Sequence, residues 1–255
     1  MGFAAQLSPA VFVFGLIVGS FLNVIIYRLH VGRSIIEQHS ICPRCEHTLD
    51  WRDLIPVVSF FALRGRCRYC QKPISWQYPA VELATALTFT LVYSQNGLSL
   101  TTYYLLLTTC FLVVIFVYDF KHYLILDKVL VPAAVLAVIY QFWQNNFWQG
   151  LWGALVLSGF FGLLFVISGG RWIGFGDVKL GVFLGFLVPW PATLALFLLA
   201  YVIGASVALV LLAFGARRLS DRLPFGTFLT LAAFIAMLWG EEMVSWYLRI
   251  IGVSL

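Results

Sequence analysis

The chain has 255 residues, of which 62% are hydrophobic, 17% aromatic and 11% charged, and its 16 Lys+Arg outnumber 11 Asp+Glu for a net charge of +5. Globular domains average about 25% charged residues, so this composition, with a mean hydropathy of +0.94, excludes an ordinary soluble domain and a disordered tail alike. The predicted fold class is all-α, a polytopic helical membrane protein.

Apolar runs that reach or approach the roughly 20 residues needed to cross a bilayer lie at 9–27, 81–94, 102–118, 129–143, 151–168, 180–188, 193–214 and 225–248. About eight transmembrane helices are expected. Seven is the nearest alternative, because the run at 180–188 is short and ends at Pro189-Trp190-Pro191. No Lys or Arg precedes the first run, so it is not read as a secretory signal with a basic leader. Gly15, Gly19 and Asn23 recur every four residues on that helix and share one face. The stripe predicts close approach of a neighbouring helix; a hydrogen bond from Asn23 to substrate or catalytic groups is the alternative. No internal repeat or low-complexity tract is apparent.

Loop charge sets the orientation. Arg28, Arg33, Arg44, Arg52, Arg64, Arg66, Arg68 and Lys72 lie between the first two helices. Lys121 and Lys128 lie between the third and fourth, Arg171 and Lys179 between the fifth and sixth, and Arg217, Arg218 and Arg222 between the seventh and eighth. The alternate loops contain no Lys or Arg, and only Arg249 falls on their side. By the positive-inside rule the basic side is the cytoplasm, with both termini opposite. A nucleic-acid binder would instead spread cations over a solvated face, so the expected surroundings are a lipid bilayer and no nucleic acid.

The expected division is a first helix in 1–29, a cytoplasmic domain in 30–79 and a multi-helix membrane domain in 80–255. The inserted domain holds Cys42-Pro-Arg-Cys45 and Cys67-Arg-Tyr-Cys70. Two CxxC knuckles can offer four thiolates in a tetrahedron, which is the geometry of structural Zn2+. So small a domain has too little apolar burial to fold unaided, and disulfides are disfavoured in a reducing compartment. Four thiolates leave no open position, so the metal is structural and not catalytic. The fifth cysteine, Cys110, sits in an apolar run and is read as a small hydrophobic residue.

Three aspartates lie at the membrane boundary, where a carboxylate is costly and tends to mark function. Asp127 begins a helix and complements its dipole. Asp177, in Gly174-Phe175-Gly176-Asp177-Val178-Lys179, precedes a helix and can be read as a cap as well. Asp119 ends a helix, where negative charge is unfavourable, so capping does not account for it. Gly174 and Gly176 allow the backbone to approach, or bend around, another chain. Lys179 either binds a substrate carboxylate or extends to the interface. Two carboxyl groups sharing a proton can divide acid and base roles, which makes Asp119 and Asp177 the candidate pair.

These motifs resemble the type IV prepilin peptidases, bifunctional leader peptidase/N-methyltransferases and GxGD-type membrane aspartyl proteases. The matching segments are Gly19-Ser-Phe-Leu-Asn-Val-Ile-Ile-Tyr-Arg28, the two CxxC pairs with Leu63-Arg-Gly-Arg66, and residues 74–82, 119–127, 174–180 and 224–226. They cover nearly the whole chain in family order. The resemblance implies that Asp119 and Asp177 are catalytic and that Asp127, Gly174, Gly176 and Lys179 support them. It also implies cleavage of a basic leader from prepilins or pseudopilins at the cytoplasmic face of a bacterial inner membrane. N-methylation with S-adenosyl-L-methionine follows from the resemblance alone, since no glycine-rich strand-to-helix turn is present. Arg64, Arg66, Glu82, Trp51, Tyr69 and Trp76 are candidates for it, each also readable as structural. Leu126 stands where the family usually has Pro, and Gln77 where a basic residue is common.

Two other classes compete. A proton-coupled transporter would place its carboxyls near the midplane, often within inverted repeats, whereas these aspartates lie at one face. A non-catalytic assembly protein would dock partners through its metal domain.

Overall fold

The computed structural model describes residues 2–34, 39–215, 223–250 and 252. Loop residues 35–38 and three of the loop cations, Arg217, Arg218 and Arg222, lie outside the described residues. Within them run α1 (Gly2–Val31), α2 (Val58–Ala62), α3 (Gln77–Asn96), α4 (Leu100–His122), α5 (Asp127–Trp143), α6 (Phe147–Ser168), α7 (Phe175–Leu187), α8 (Ala192–Ala213) and α9 (Phe225–Ile250). No strand occurs among the described residues, only two isolated bridges. Each expected apolar run corresponds to a helix, and α2 is an additional one inside the loop.

Five helices are long and apolar enough to cross a membrane: α1 over Leu7–Val31, α4, α6, α8 and α9. The others are limited by length or polarity. α5 has 17 residues and α7 has 13, about 26 and 20 Å at 1.5 Å per residue, less than the roughly 30 Å hydrocarbon layer. α3 carries Gln77 and Glu82 near its start.

The chain forms two compact units that divide within α4, the first ending at Val114 and the second beginning at Ile115. In the first, α1 and α3 pack antiparallel in a fixed register. A Cβ on Gly15 would lie 2.6 Å from Ala86 Cα, and one on Gly19 would lie 2.7 Å from Glu82 Cα. The small-residue stripe therefore does what its spacing predicted, bringing two backbones into contact. Helices in lipid gain little from hydrophobic burial against each other and depend on such close packing. Asn23 is buried in the same seam, donating to Gly19 O at 3.3 Å and Tyr78 O at 3.1 Å and accepting from Gln77 Nε2 at 3.1 Å. Its amide is used to join the helices, and Gln77 serves that junction.

In the second unit α7 packs against α6, α5 and α9, and α8 packs along α9. Gly185 of α7 lies directly against the backbone of Gly153 and Ala154 of α6. Gln141 of α5 donates to Phe186 O at 2.8 Å. The short α7 is thus enclosed by protein on several sides, with Leu180, Phe183 and Leu184 fully buried. That enclosure fixes the position of its first turn, which carries Asp177.

Candidate functional site

Asp119 lies in the last turn of α4, which continues to His122 and so extends past the expected end at Tyr118. The side chain is buried. The unfavourable end of its own helix is offset by a second helix: Oδ2 accepts from the Thr227 backbone N–H at 2.7 Å and from Thr227 Oγ1 at 3.0 Å. Thr227 is the third residue of α9, so the acid is held by the positive end of that helix's dipole and one of its unpaired N–H groups. Gly226 makes this possible. A Cβ there would lie 2.9 Å from Asp119 Oδ2 and 3.1 Å from Ile125 Cδ1.

Asp177 is the third residue of α7, not a residue preceding the helix. It accepts from Gly174 N–H at 3.2 Å, while its own N–H donates to Gly174 O at 3.1 Å. The capping role is therefore real, and it orients the carboxyl. Ile125 links the two aspartates: it contacts Gly226 beside Asp119, and a Cβ on Gly176 beside Asp177 would lie 3.3 Å from Ile125 Cβ. The two carboxyl groups are near enough for their charges to interact. Tyr201 of α8 is a further electrostatic neighbour of Asp177, with its ring 5.3 Å from that of Phe225, the first residue of α9.

The glycines divide. Gly176 is held to its size by Ile125, whereas a methyl added to Gly174 would meet no atom nearer than 3.6 Å, and the φ of −80° there is ordinary. Asp127 opens α5 as expected, and Lys179 donates to both its oxygens, at 2.6 and 2.8 Å. Lys179, read from sequence as a ligand for a substrate carboxylate or an extended interfacial charge, here forms a clasp between α5 and α7. The pair is half-exposed.

In the first unit the four cysteine sulfurs lie within 4.8 Å of one another, an arrangement that could hold a metal ion. No internal repeat is apparent in the sequence, yet the two knuckles repeat at an offset of 25 residues. Cys42 N donates to His47 O and Cys67 N to Lys72 O; Leu49 N donates to Ser40 O and Ile74 N to Gly65 O. Glu46 and Gln71 both have φ near +60°, at 58° and 57°. Few side chains are shared between the copies, so the repeat lies in the backbone, where composition leaves little trace. Against the effect of burial, the N–H groups of Arg44 and Cys45 bring the Cys42 thiol down to about 7, which favours the thiolate a metal needs. Asp53 ties the copies together, accepting from Arg68 Nε at 2.8 Å and Tyr69 OH at 3.1 Å. Burial opposes ionisation there, but these two donors hold the carboxyl below its usual range.

Three of the weaker candidates have structural partners. Glu82 accepts from Val57 N–H at 2.7 Å, Tyr69 bonds Asp53, and the Trp76 ring packs 4.9 Å from Phe60. Thr227, Ile125 and Tyr201 were not singled out from sequence. A Thr two residues into a helix after Pro224 gives a faint signal at best, and an Ile or Tyr in an apolar chain gives none.

Two family models match this chain: the Bacterial Peptidase A24 N-terminal domain over residues 13–96 and the Type IV leader peptidase family over residues 106–209. The chain is similar to the prepilin leader peptidase/N-methyltransferase of Stutzerimonas stutzeri, 32% identical over 93% of this chain and 92% of that protein. A protein of the same description from Bacillus subtilis (strain 168) is 31% identical over 93% of this chain and 96% of its own. One from Myxococcus xanthus (strain DK1622) is 37% identical over 79% and 62% respectively. No solved structure matches the chain.

Proposed function

This chain belongs to the type IV leader peptidase family, and we propose that it removes the basic leader of membrane-inserted prepilins or pseudopilins and methylates the new amino terminus. The observation that carries the peptidase reading is the meeting of Asp119 and Asp177, from two different helices, around Ile125. Such a pair shares one proton and titrates as a unit. The ionised carboxylate takes a proton from water as the oxygen attacks the scissile carbonyl carbon. The protonated carboxyl gives its proton to the carbonyl oxygen, and a tetrahedral diol forms. Collapse of the diol breaks the C–N bond, the leaving nitrogen takes a proton from the dyad, and a new carboxyl group and a free amine result.

In this reading Thr227 positions Asp119, Gly174 and Gly176 position Asp177, and the Asp127–Lys179 clasp fixes α7 beside α5. We read eight membrane helices, with the acid pair at the cytoplasmic face of a bacterial inner membrane, because the basic loops fall at that end of the chain's helices. The segment between α1 and α3 is the metal domain and residues 80–255 the peptidase domain. Zn2+ held by Cys42, Cys45, Cys67 and Cys70 would supply a rigid structural cross-link. S-adenosyl-L-methionine is the proposed methyl donor, and its site is unassigned.

Asp119→Asn and Asp177→Asn keep shape while removing the ionisable group. Each is expected to lower the rate of precursor cleavage at least about 10³-fold, the scale lost when a member of a catalytic unit is removed. Both variants should still methylate a pre-cleaved pilin given S-adenosyl-L-methionine, read by the mass of the product. Retained cleavage in both variants refutes the aspartyl mechanism. Retained cleavage in Asp119→Asn with loss in Asp127→Asn moves the catalytic role to Asp127.

A further inference from the structure

The segment between the two cysteine knuckles carries an apolar surface that the peptidase reading does not use. Trp51 is 66% exposed, Val58 61%, Phe61 57% and Trp76 68%, with Leu54 and Ile55 partly exposed between them. Val58 and Phe61 are three residues apart on α2 and share a face, while Phe60 between them is buried against Trp76. So concentrated an apolar patch on so small a domain is expected to be covered.

The register of α1 against α3 tells what covers it. The contacts Gly15–Ala86, Gly19–Glu82 and Asn23–Tyr78 place Trp76 level with Ile25 of α1. Ile25 lies inside the membrane-crossing stretch Leu7–Val31, two residues before its apolar run ends at Tyr27 and Arg28. Buried Glu82, level with Gly19, accepts from Val57 N–H at 2.7 Å, and Val57 is held at a φ of +62° immediately before α2. A β-branched residue is rarely found at positive φ and persists there only where its surroundings impose it. Here Glu82 ties the residue that precedes α2 to the early turns of α3. Residues 50–70 also carry Arg52, Arg64, Arg66 and Arg68 against Asp50 and Asp53, an excess of cations suited to anionic headgroups.

We propose that α2 and its flanking tryptophans are a membrane-surface element, inserted into the headgroup and upper acyl region of the leaflet at this end of α1. Trp51 and Trp76 act as interfacial anchors, and the inserted face of α2 docks the metal domain on the bilayer through anionic phospholipid. This docking is independent of the catalytic assignment.

The test uses the full chain with its metal, reconstituted in phosphatidylethanolamine/phosphatidylglycerol vesicles, with p-benzoylphenylalanine in place of Val58, Phe61 or, as a solvent-facing control, Lys72. After irradiation, lipid adducts at positions 58 and 61 are expected at least about tenfold above those at 72, as for an interfacial apolar face. Retained metal content in each protein reports an intact domain. Equal, low lipid labelling at all three positions overturns the proposal. So does labelling at 58 or 61 that transfers from lipid to an added prepilin or to a second copy of the chain, since the face would then be a protein-binding surface.

Discussion

Gly226→Ala tests the placement of Asp119 most directly. The added methyl would lie 2.9 Å from Asp119 Oδ2 and 3.1 Å from its Cγ, closer than real Cβ contacts allow. Ile125 Cδ1, 3.1 Å from the same methyl, crowds it from another side. The carboxyl is therefore expected to shift away from the start of α9 and weaken or lose its 2.7 Å bond from Thr227 N–H or the 3.0 Å bond from Thr227 Oγ1. A hydrogen bond to a charged group contributes about 1.5–3 kcal/mol. At about 1.4 kcal/mol per tenfold in rate, cleavage should fall about 10- to 150-fold. The assay is single-turnover cleavage of a purified prepilin by solubilised protein, followed on gels and by mass. Gly174→Ala is the control: its methyl meets nothing nearer than 3.6 Å, and a surface-type change of this kind should alter the rate by less than about threefold. Wild-type cleavage by Gly226→Ala, with an unchanged unfolding midpoint, would refute α9 as the element that holds the acid in its working position.

Elemental analysis should find about one zinc per chain, and Cys→Ser at 42, 45, 67 or 70 should lower it and speed proteolysis between the two knuckles; a metal-free protein with an equally protected loop would contradict this. Asp127→Asn and Lys179→Met remove a half-exposed ion pair, so each should change stability by less than about 1 kcal/mol and leave cleavage within about fivefold, while the charge-reversed double variant should restore any loss. Gly185→Ala drives a methyl into the backbone of Ala154 and should cost about 1–3 kcal/mol of stability through overpacking, measured as a lowered unfolding midpoint in detergent. An unchanged midpoint would mean that α6 and α7 are not in backbone contact.

Composition and apolar run length determined the helical membrane fold, because lipid offers no partner for an unpaired backbone group and so admits few structures. The Gly15–Gly19–Asn23 stripe was legible because four-residue spacing on a helix has one geometric meaning. The four cysteines were legible because thiolate chemistry and CxxC spacing are local. Asp119 stood out as a negative charge at a helix C-terminus that capping does not account for, but the sequence did not name the partner that holds it. That partner is Thr227, more than a hundred residues away, brought there by the packing of the second unit. Lys179 could not be read from its neighbours, because its ion pair with Asp127 joins helices separate in sequence. The backbone repeat of the two knuckles and the positive φ of Val57 were invisible for a different reason. Both are conformations imposed by surrounding hydrogen bonds, and no residue type in the sequence records them. Local chemistry named the groups, and only tertiary packing decided which of them meet.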